Sequence, residues 1–265
     1  MRGVWIRRQT SQESVRRLKI NRGGWKRAAF VGCSHGNHIN RAVARDALHF
    51  IDDFKPQLRV HLGDAFDTAA FRAGSKGDND ESASVGDDFE AGKWFLDALR
   101  PNLLFMGNHE DRLWKLADHH NAQVSYLARH LIEQIRTIAK RSKAEVVEYG
   151  SIASPDSWRM VGDTLCGHGY MYGENCTRDH VEMLGNPVIH AHDHKAKQQA
   201  GRMVGAPMGY SVGTLAEIGA MGYAKARRAT TSWSGGLVYG YYRDGASDWT
   251  LKVLHQSKPQ WKMVR

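Results

Sequence analysis

The chain has few cysteines and no long apolar run, and each of these shortages excludes a class of protein. Three cysteines without regular spacing occur in 265 residues, so a disulfide framework is not expected and a reducing cytoplasm is. No stretch of about 18 consecutive apolar residues is present, which argues against a membrane span. The first residues also lack the apolar core of a secretory signal peptide. We therefore predict a cytoplasmic protein with enough apolar content for a core.

Positive charge is concentrated at the two ends of the chain. Residues 1–27 hold nine Lys and Arg against one Glu, and residues 195–265 hold eleven against three acids, so each end has a net charge of +8. Because the whole chain carries +9, residues 28–194 sum to −7. Basic ends around an acidic centre indicate a surface for a polyanion, and tails that only aid solubility are an equally open interpretation. The Arg-rich start also has the composition of a transit peptide, which we disfavour because Gly23-Gly24-Trp25 leads straight into a predicted strand.

Hydrophobic periodicity predicts alternating strands and helices in the first half of the chain. We expect strands at 27–33, 58–62 and 103–106, helices at 38–54 and 89–99, and a long surface loop at 74–90. Such alternation implies right-handed crossovers and a parallel central sheet.

The second half is predicted to be helical at first and then rich in strands. We expect helices at 111–120 and 124–143, followed by strands at 158–161, 164–167, 187–191, 208–212, 236–242 and 249–254. Asp244-Gly245 between the last two strands is a hairpin signal. No repeat or linker divides the chain, so we predict a basic N-terminal arm over residues 1–26 and a single domain over residues 27–265.

Seven potential metal ligands follow one another along the chain, most of them directly after a predicted strand. They are Cys33, His35, Asp64, Asn108, His168, His192 and His194. Loops at strand ends are where an α/β fold gathers its functional side chains. Each motif alone is common, because Gly-Asp forms turns, Asn caps helices and His-x-His places two structural histidines on one face of a strand. Their combination is what a pair of divalent cations needs.

A pair of cations about 3.5–4 Å apart requires a bridging carboxylate, which Asp64 can provide. One half-site would then take Cys33, His35 and His194, and the other would take Asn108, His168 and His192. One carboxylate and one thiolate offset half of the charge of two dications. The remaining positive charge suits a phosphate group.

The ordered set resembles the calcineurin-like metallophosphoesterases, whose pattern runs Asp-x-His, Gly-Asp-x-x-Asp, Gly-Asn-His-Glu/Asp, a lone His and Gly-His-x-His. The match extends from about Ala28 to Leu254, and Gly107–Arg112 is its most specific part. The long loop and extended helices look most like those of bacteriophage and prophage members. The resemblance implies an α/β fold, a four-layer α/β/β/α sandwich with two mixed sheets flanked by helices. In it, the late strands would form a second sheet packed on the first.

The resemblance also implies a phosphoric ester hydrolase that uses two divalent metal ions, with Mn, Zn or Fe expected. A metal-activated hydroxide would attack phosphorus in line with the leaving group. His109 matches the catalytic histidine that gives a proton to the leaving oxygen, and Asp67 matches its orienting partner. Phosphodiesters in nucleotides, DNA or RNA are the expected substrates. The alternatives are a phosphomonoesterase, which includes one acting on phosphoprotein, and a member that binds nucleic acid without cleaving it.

Two residues depart from the family pattern. Cys33 stands where most members have Asp, and Ala191 stands where Gly usually precedes the last motif. A thiolate would keep the ligand charge and favour Zn or Fe over Mg or Mn. Cys33 as a small buried residue without a metal contact is the alternative. The nine other histidines are interpreted as structural or exposed, His190 of a second His-x-His pattern among them. Arg112, one turn beyond His109, could reach a substrate phosphate, but we favour its interpretation as part of a solvated helix face.

Overall fold

The computed structural model describes residues 24–77, 80–221 and 232–255. Its strands are β1 (Lys26–Val31), β2 (Leu58–His61), β3 (Leu103–Phe105), β4 (Glu145–Val147), β5 (Arg159–Val161), β6 (Thr164–Cys166), β7 (Val188–His190), β8 (Ala196–Ala200), β9 (Met208–Val212), β10 (Gly235–Arg243) and β11 (Ala246–Leu254). Its α-helices are α1 (Arg41–Phe54), α2 (Val85–Leu99), α3 (Asp111–Leu116), α4 (Ala122–Ser142) and α5 (Cys176–Leu184). Residues 1–23 of the predicted arm lie outside the described residues.

The strands form two mixed sheets. In the first, with the order β11-β10-β1-β2-β3-β4, strands β1 to β4 run parallel and β10 and β11 run antiparallel. In the second, with the order β5-β6-β7-β9-β8, the central β6, β7 and β9 run parallel and the outer two antiparallel. The predicted parallel centre of the first sheet is therefore confirmed.

The expectation that the late strands join a second sheet is wrong for β10 and β11. Strand β10 pairs with β1, from Lys26 opposite Tyr242 to Phe30 opposite Val238, and so extends the first sheet. One of its faces is buried along the whole strand, and the other is buried over the first half, which suits an interior strand. The predicted hairpin between β10 and β11 is confirmed, with Asp244-Gly245 as its two-residue turn.

Apolar side chains divide the molecule into four layers. Between the sheets, Phe30, Val60 and Phe105 of the first sheet share one core with side chains of β5, β7 and β9 of the second. On the outer face of the first sheet pack α1, α2 and α4, and on the outer face of the second packs α5, through Val181. The predicted α/β/β/α sandwich, with two mixed sheets flanked by helices, is therefore confirmed.

Most predicted helices are present, with shifted boundaries. Helix α1 begins after Asn40, whose side chain accepts the N–H groups of Ala42 and Val43. Helix α2 begins at Val85, inside the predicted surface loop, because Ser84 caps it by accepting the N–H of Asp87. Within the described ranges, no helix has both the length and the apolar character needed to cross a membrane.

Candidate metal centre

The predicted ligands lie where the carboxyl ends of the strands in the two sheets meet. From the first sheet, Cys33 and His35 follow β1, Asp64 follows β2 and Asn108 follows β3. From the second sheet, His168 follows β6, and both His192 and His194 follow β7. Because β1, β2 and β3 are adjacent and parallel, their carboxyl ends open at one edge.

The structure brings all seven side chains together, in two groups that share Asp64. In the first group, the ligand atoms of Cys33, His35, Asp64 and His194 all lie within 4.8 Å of one another. The second group joins Asp64, His168 and His192 within the same distance. Here Asn108 Oδ1 lies 3.0 Å from His168 Nε2 and 2.9 Å from His192 Nδ1. This is the division into half-sites that the sequence predicts.

The orientation of two imidazole rings tests whether a cation fits the groups. His35 donates its Nδ1–H to Asp67 Oδ1 at 3.0 Å, and His168 donates its Nδ1–H to Leu62 O at 2.7 Å. In the neutral rings, each Nε2 then keeps its lone pair, and these atoms lie 3.8 Å and 3.3 Å from Asp64 Oδ2. Lone pairs and carboxylate oxygen therefore converge, as they do around metal-ligating histidines whose outer N–H is held by an oxygen. The residues present fit divalent cations.

His194 supports the same interpretation. Its Nε2 lies 2.9 Å from His35 Nε2, and its buried Nδ1 has no hydrogen-bond partner among the described residues. Burial and the neighbouring His35 lower the pKa of His194 well below its usual value, so the ring is neutral and can offer a lone pair.

Cys33 lies in the first group with its sulfur buried. Its Sγ accepts the backbone N–H of His192 at 3.2 Å. Burial and the nearby charge of Asp64 raise the pKa of the Cys33 thiol well above its usual value. Ligation by Cys33 stays a prediction, and the position of the sulfur is compatible with it.

Asp67 connects the first group to His109. Its Oδ1 lies 3.0 Å from Nδ1 of both His35 and His109, and His109 Nδ1 also donates to the backbone oxygen of Asp67 at 2.7 Å. His109 Nε2 lies 3.9 Å from Asp64 Oδ2 and therefore faces the ligand groups. Burial disfavours the charged ring, but the carboxylates of Asp64 and Asp67 outweigh it and hold the pKa of His109 above its usual value.

Five of the predicted ligands have the left-handed backbone conformation, which is energetically unfavourable for residues other than glycine. Their φ angles are 51° at Cys33, 51° at His35, 53° at Asp64, 73° at His192 and 60° at His194. Each such residue costs on the order of 1 kcal/mol, and the conformation persists only where the surroundings enforce it. Concentrated at one site, this strain supports a functional role for the strand-end loops.

Glu110 ties two of these loops together. Its buried carboxylate accepts the backbone N–H groups of Asp64 at 3.0 Å, Phe66 at 2.9 Å and Gly107 at 2.7 Å. Gly107 is required at this contact, because a Cβ atom there would overlap the Asp64 carboxylate. The sequence pattern contains Glu110, but the spacing alone does not indicate this bracing role.

Three further residues support the site and were not assigned to it from the sequence. Asp88 on α2 accepts the backbone N–H groups of Asp67 and Thr68, each at 2.9 Å. His61 accepts the N–H of Gly63 at 3.2 Å and pairs with Ser34 at 3.1 Å, which links the β1 and β2 loops. Arg112 is half-buried and donates to the backbone oxygen of Asp67 at 2.8 Å, so its interpretation as part of a solvated helix face is wrong.

The fold and the ligand groups together define an α/β sandwich with a candidate binuclear metal centre. No protein-family model and no curated protein sequence matches the chain. Among solved structures, it is similar to a novel archaeal phosphodiesterase, with 10% identity over 86% of this chain and 99% of the other and a TM-score of 0.42.

Two further solved structures are similar to the chain. One is a protein of Thermus thermophilus, with 9% identity over 88% of this chain and 100% of the other and a TM-score of 0.39. The other is Yfce, a phosphoesterase from E. coli, with 12% identity over 86% of this chain and 100% of the other and a TM-score of 0.37. At these values the similarities carry no argument about the activity of this chain.

Proposed function

We propose that the chain is a two-metal-dependent phosphoesterase of the calcineurin-like type, which hydrolyses phosphodiester bonds in nucleic acid or nucleotides. One observation carries the proposal. Two groups of metal-ligand side chains share Asp64, and His109, held by Asp67, lies against that shared carboxylate. A protein that only binds nucleic acid has no need of this arrangement.

The candidate ligands would hold two cations. Cys33, His35, Asp64 and His194 would hold one, and Asp64, Asn108, His168 and His192 would hold the other. When bound, Mn, Zn or Fe would supply an activated hydroxide and neutralise charge on the phosphate. The similarity to phage and prophage members remains a prediction from the sequence.

His109 is the proposed general acid. Its Nδ1 is held by the carboxylate and the backbone oxygen of Asp67, which fixes the plane of the ring. The opposite ring nitrogen faces the ligand groups, where it can give a proton to the oxygen that leaves phosphorus. Asp67 also stabilises the protonated ring, because its charge lies 3.0 Å from His109 Nδ1.

The proposed preference for a phosphodiester substrate rests on the positive charge at the two ends of the chain. The basic ends of the chain favour a polyanionic substrate through the release of counterions from nucleic acid. A phosphomonoesterase would use the same metal ligands, so the two activities are distinguished by comparing turnover of a diester with turnover of a monoester.

The proposal is tested by metal analysis of the purified protein, combined with turnover of a diester and a monoester of the same chromophore and of single-stranded DNA. We expect bound divalent metal and faster turnover of the diester. His109→Ala should retain its metal and lose about 10²–10⁴-fold in kcat. His120→Ala removes an exposed imidazole and is the matched control.

Each part of the proposal would be contradicted by a different result. Faster turnover of the monoester would replace the diesterase with a phosphomonoesterase. Full activity of His109→Ala would remove the general-acid assignment. Bound metal without hydrolysis of any ester by Mn-, Zn- or Fe-loaded protein would favour the non-catalytic nucleic-acid-binding alternative.

A further inference from the structure

A buried polar cluster lies behind the turn that carries His192 and His194. It consists of Asp193, Lys197, Cys176 and Ser211, called here the Asp193 cluster. Asp193 Oδ2 pairs with the Lys197 ammonium at 2.8 Å and accepts from Cys176 Sγ at 3.0 Å, while Asp193 Oδ1 accepts from Ser211 Oγ at 2.5 Å. None of these four side chains belongs to the two ligand groups.

Asp193 sits between two ligands that belong to different half-sites. His192 lies in the group with Asp64 and His168, and His194 lies in the group with Cys33 and His35. Both histidines have positive φ angles, 73° and 60°, so the turn does not hold its shape by backbone preference. The buried carboxylate of Asp193 ties the turn to three side-chain donors and also accepts the backbone N–H of Lys195 at 3.4 Å.

Lys197 extends this anchoring to the loop that carries His168. Its ammonium donates to the backbone oxygens of Glu174 at 3.0 Å and Gly173 at 3.4 Å, in the segment that connects His168 to α5. It also donates to Cys176 Sγ at 3.2 Å, at the start of that helix. One ammonium therefore ties the loop after β6 to the turn after β7.

We propose that the Asp193–Lys197 pair is a positioning device, which holds His168, His192 and His194 in the geometry that binds cations and so sets the affinity of both half-sites. This inference rests on the proposed function, since it assumes that the two groups bind divalent cations. Residues that orient metal ligands typically change metal affinity about 10–100-fold when they are replaced.

Coulomb repulsion and positioning predict opposite changes in cation affinity when Lys197 is lost. Removing an ammonium from the neighbourhood of a cation site should strengthen cation binding if only charge matters. Removing it should weaken binding if Lys197 holds the ligand loops. Lys197→Met therefore separates the two effects in a single measurement.

Replacing one member of a buried ion pair leaves the other charge unpaired and can destabilise the whole protein. The double variant Asp193→Asn/Lys197→Met avoids this problem, because it removes both charges and keeps the side-chain shapes similar. Lys195→Met is the control for charge, since Lys195 directly follows His194 and its ammonium takes part in none of the ion pairs among the described residues.

The experiment measures stepwise Zn²⁺ and Mn²⁺ binding by the metal-depleted full chain, through calorimetry and competition with a chelating dye, together with urea unfolding of each metal-depleted variant. We expect Lys197→Met and the double variant to weaken both binding steps about 10–100-fold. Lys195→Met should bind as tightly as the wild type or more tightly. The double variant should regain much of the unfolding stability lost by Lys197→Met and regain none of the affinity.

Three outcomes would overturn the inference. Wild-type affinity in the double variant would show that the pair serves stability alone. Tighter binding by Lys197→Met would show that charge dominates. Weakening of one step only would show that the pair does not serve both half-sites. If the wild type itself binds neither cation, the proposed function fails first and the inference fails with it.

Discussion

Cys33, as a proposed metal ligand, would determine how many protons the centre releases when a cation binds. Burial and Asp64 raise the pKa of its thiol well above the usual value, so the cation-free protein keeps this thiol protonated at neutral pH. A cation binds sulfur as thiolate, and binding must therefore release that proton. In Cys33→Asp the carboxyl group has a much lower intrinsic pKa than a thiol, so we expect it to be ionised before the cation binds and to release no proton.

We predict that Zn²⁺ binding by the wild type releases about one proton more than binding by Cys33→Asp. The wild-type affinity should consequently rise about tenfold more per pH unit as the pH increases, because each released proton adds one unit of slope. Calorimetry in buffers with different ionisation enthalpies measures the difference. Equal proton release by the two proteins, with an unchanged preference for Zn over Mn, would mean that the sulfur does not contact the metal.

The positions of the candidate ligands could be predicted from the sequence, because each of these residues follows a strand. Asp64 and Asn108 follow short apolar runs. Because the carboxyl ends of parallel strands lie at one edge of the sheet, residues that follow such strands are expected to be close together. Supporting residues have no such signature. Asp88 and Lys197 act through partners that are distant along the chain, Asp67 for the former and the backbone of 173–174 for the latter. Only the packed structure shows these pairs.

The beginning of α2 shows how an element can be missed for a physical reason. The segment before it is rich in Gly, Ser and Asp, a composition typical of loops. The same residues serve as a helix start, since Ser84 caps α2 and Asp87 and Asp88 lie in its first turn. The earlier start brings Asp88 under the loop that carries Asp67.

Strand β8 and helix α5 were missed for a related reason. The sequence of β8, Ala-Lys-Gln-Gln-Ala, lacks the apolar alternation of a half-buried strand, which is tolerated because β8 lies at the edge of its sheet. Helix α5 is nine residues long and largely polar, with Val181 as its contact to the sheet. Elements held by few apolar contacts have a weak periodic signal.

Asp88 should contribute to stability far more than its neighbour Asp87. In Asp88→Ala the buried N–H groups of Asp67 and Thr68 lose their acceptor, which should lower the free energy of unfolding by about 2 kcal/mol or more. Asp87 is exposed, and Asp87→Ala should cost only the helix-dipole contribution of about 0.3–1 kcal/mol. Urea unfolding of both metal-depleted variants measures the difference. Equal losses would show that the contact of Asp88 with the β2 loop contributes nothing.

At the scale of the whole molecule, the candidate centre joins the two sheets. The first group takes Cys33, His35 and Asp64 from the first sheet and His194 from the second. The second group takes Asp64 and Asn108 from the first sheet, with His168 and His192 from the second. Neither group can form unless the sheets are packed together. The division into half-sites was predicted from the sequence, but sequence order alone does not show that β10 returns to the first sheet after the second is complete.

Bound cations should therefore stabilise the packing of both sheets, and chelation should weaken it throughout. A ligand that binds only the folded state at about 100 times its Kd adds about 2.7 kcal/mol, so chelation should lower the melting temperature by several degrees. Amide exchange should accelerate in β1 and β2 and in β6 and β7 alike, since ligands follow all four strands. His168→Ala, which removes a ligand from one group only, should show a smaller difference between its metal-loaded and chelated forms. Faster exchange confined to one sheet would contradict a centre that bridges the two.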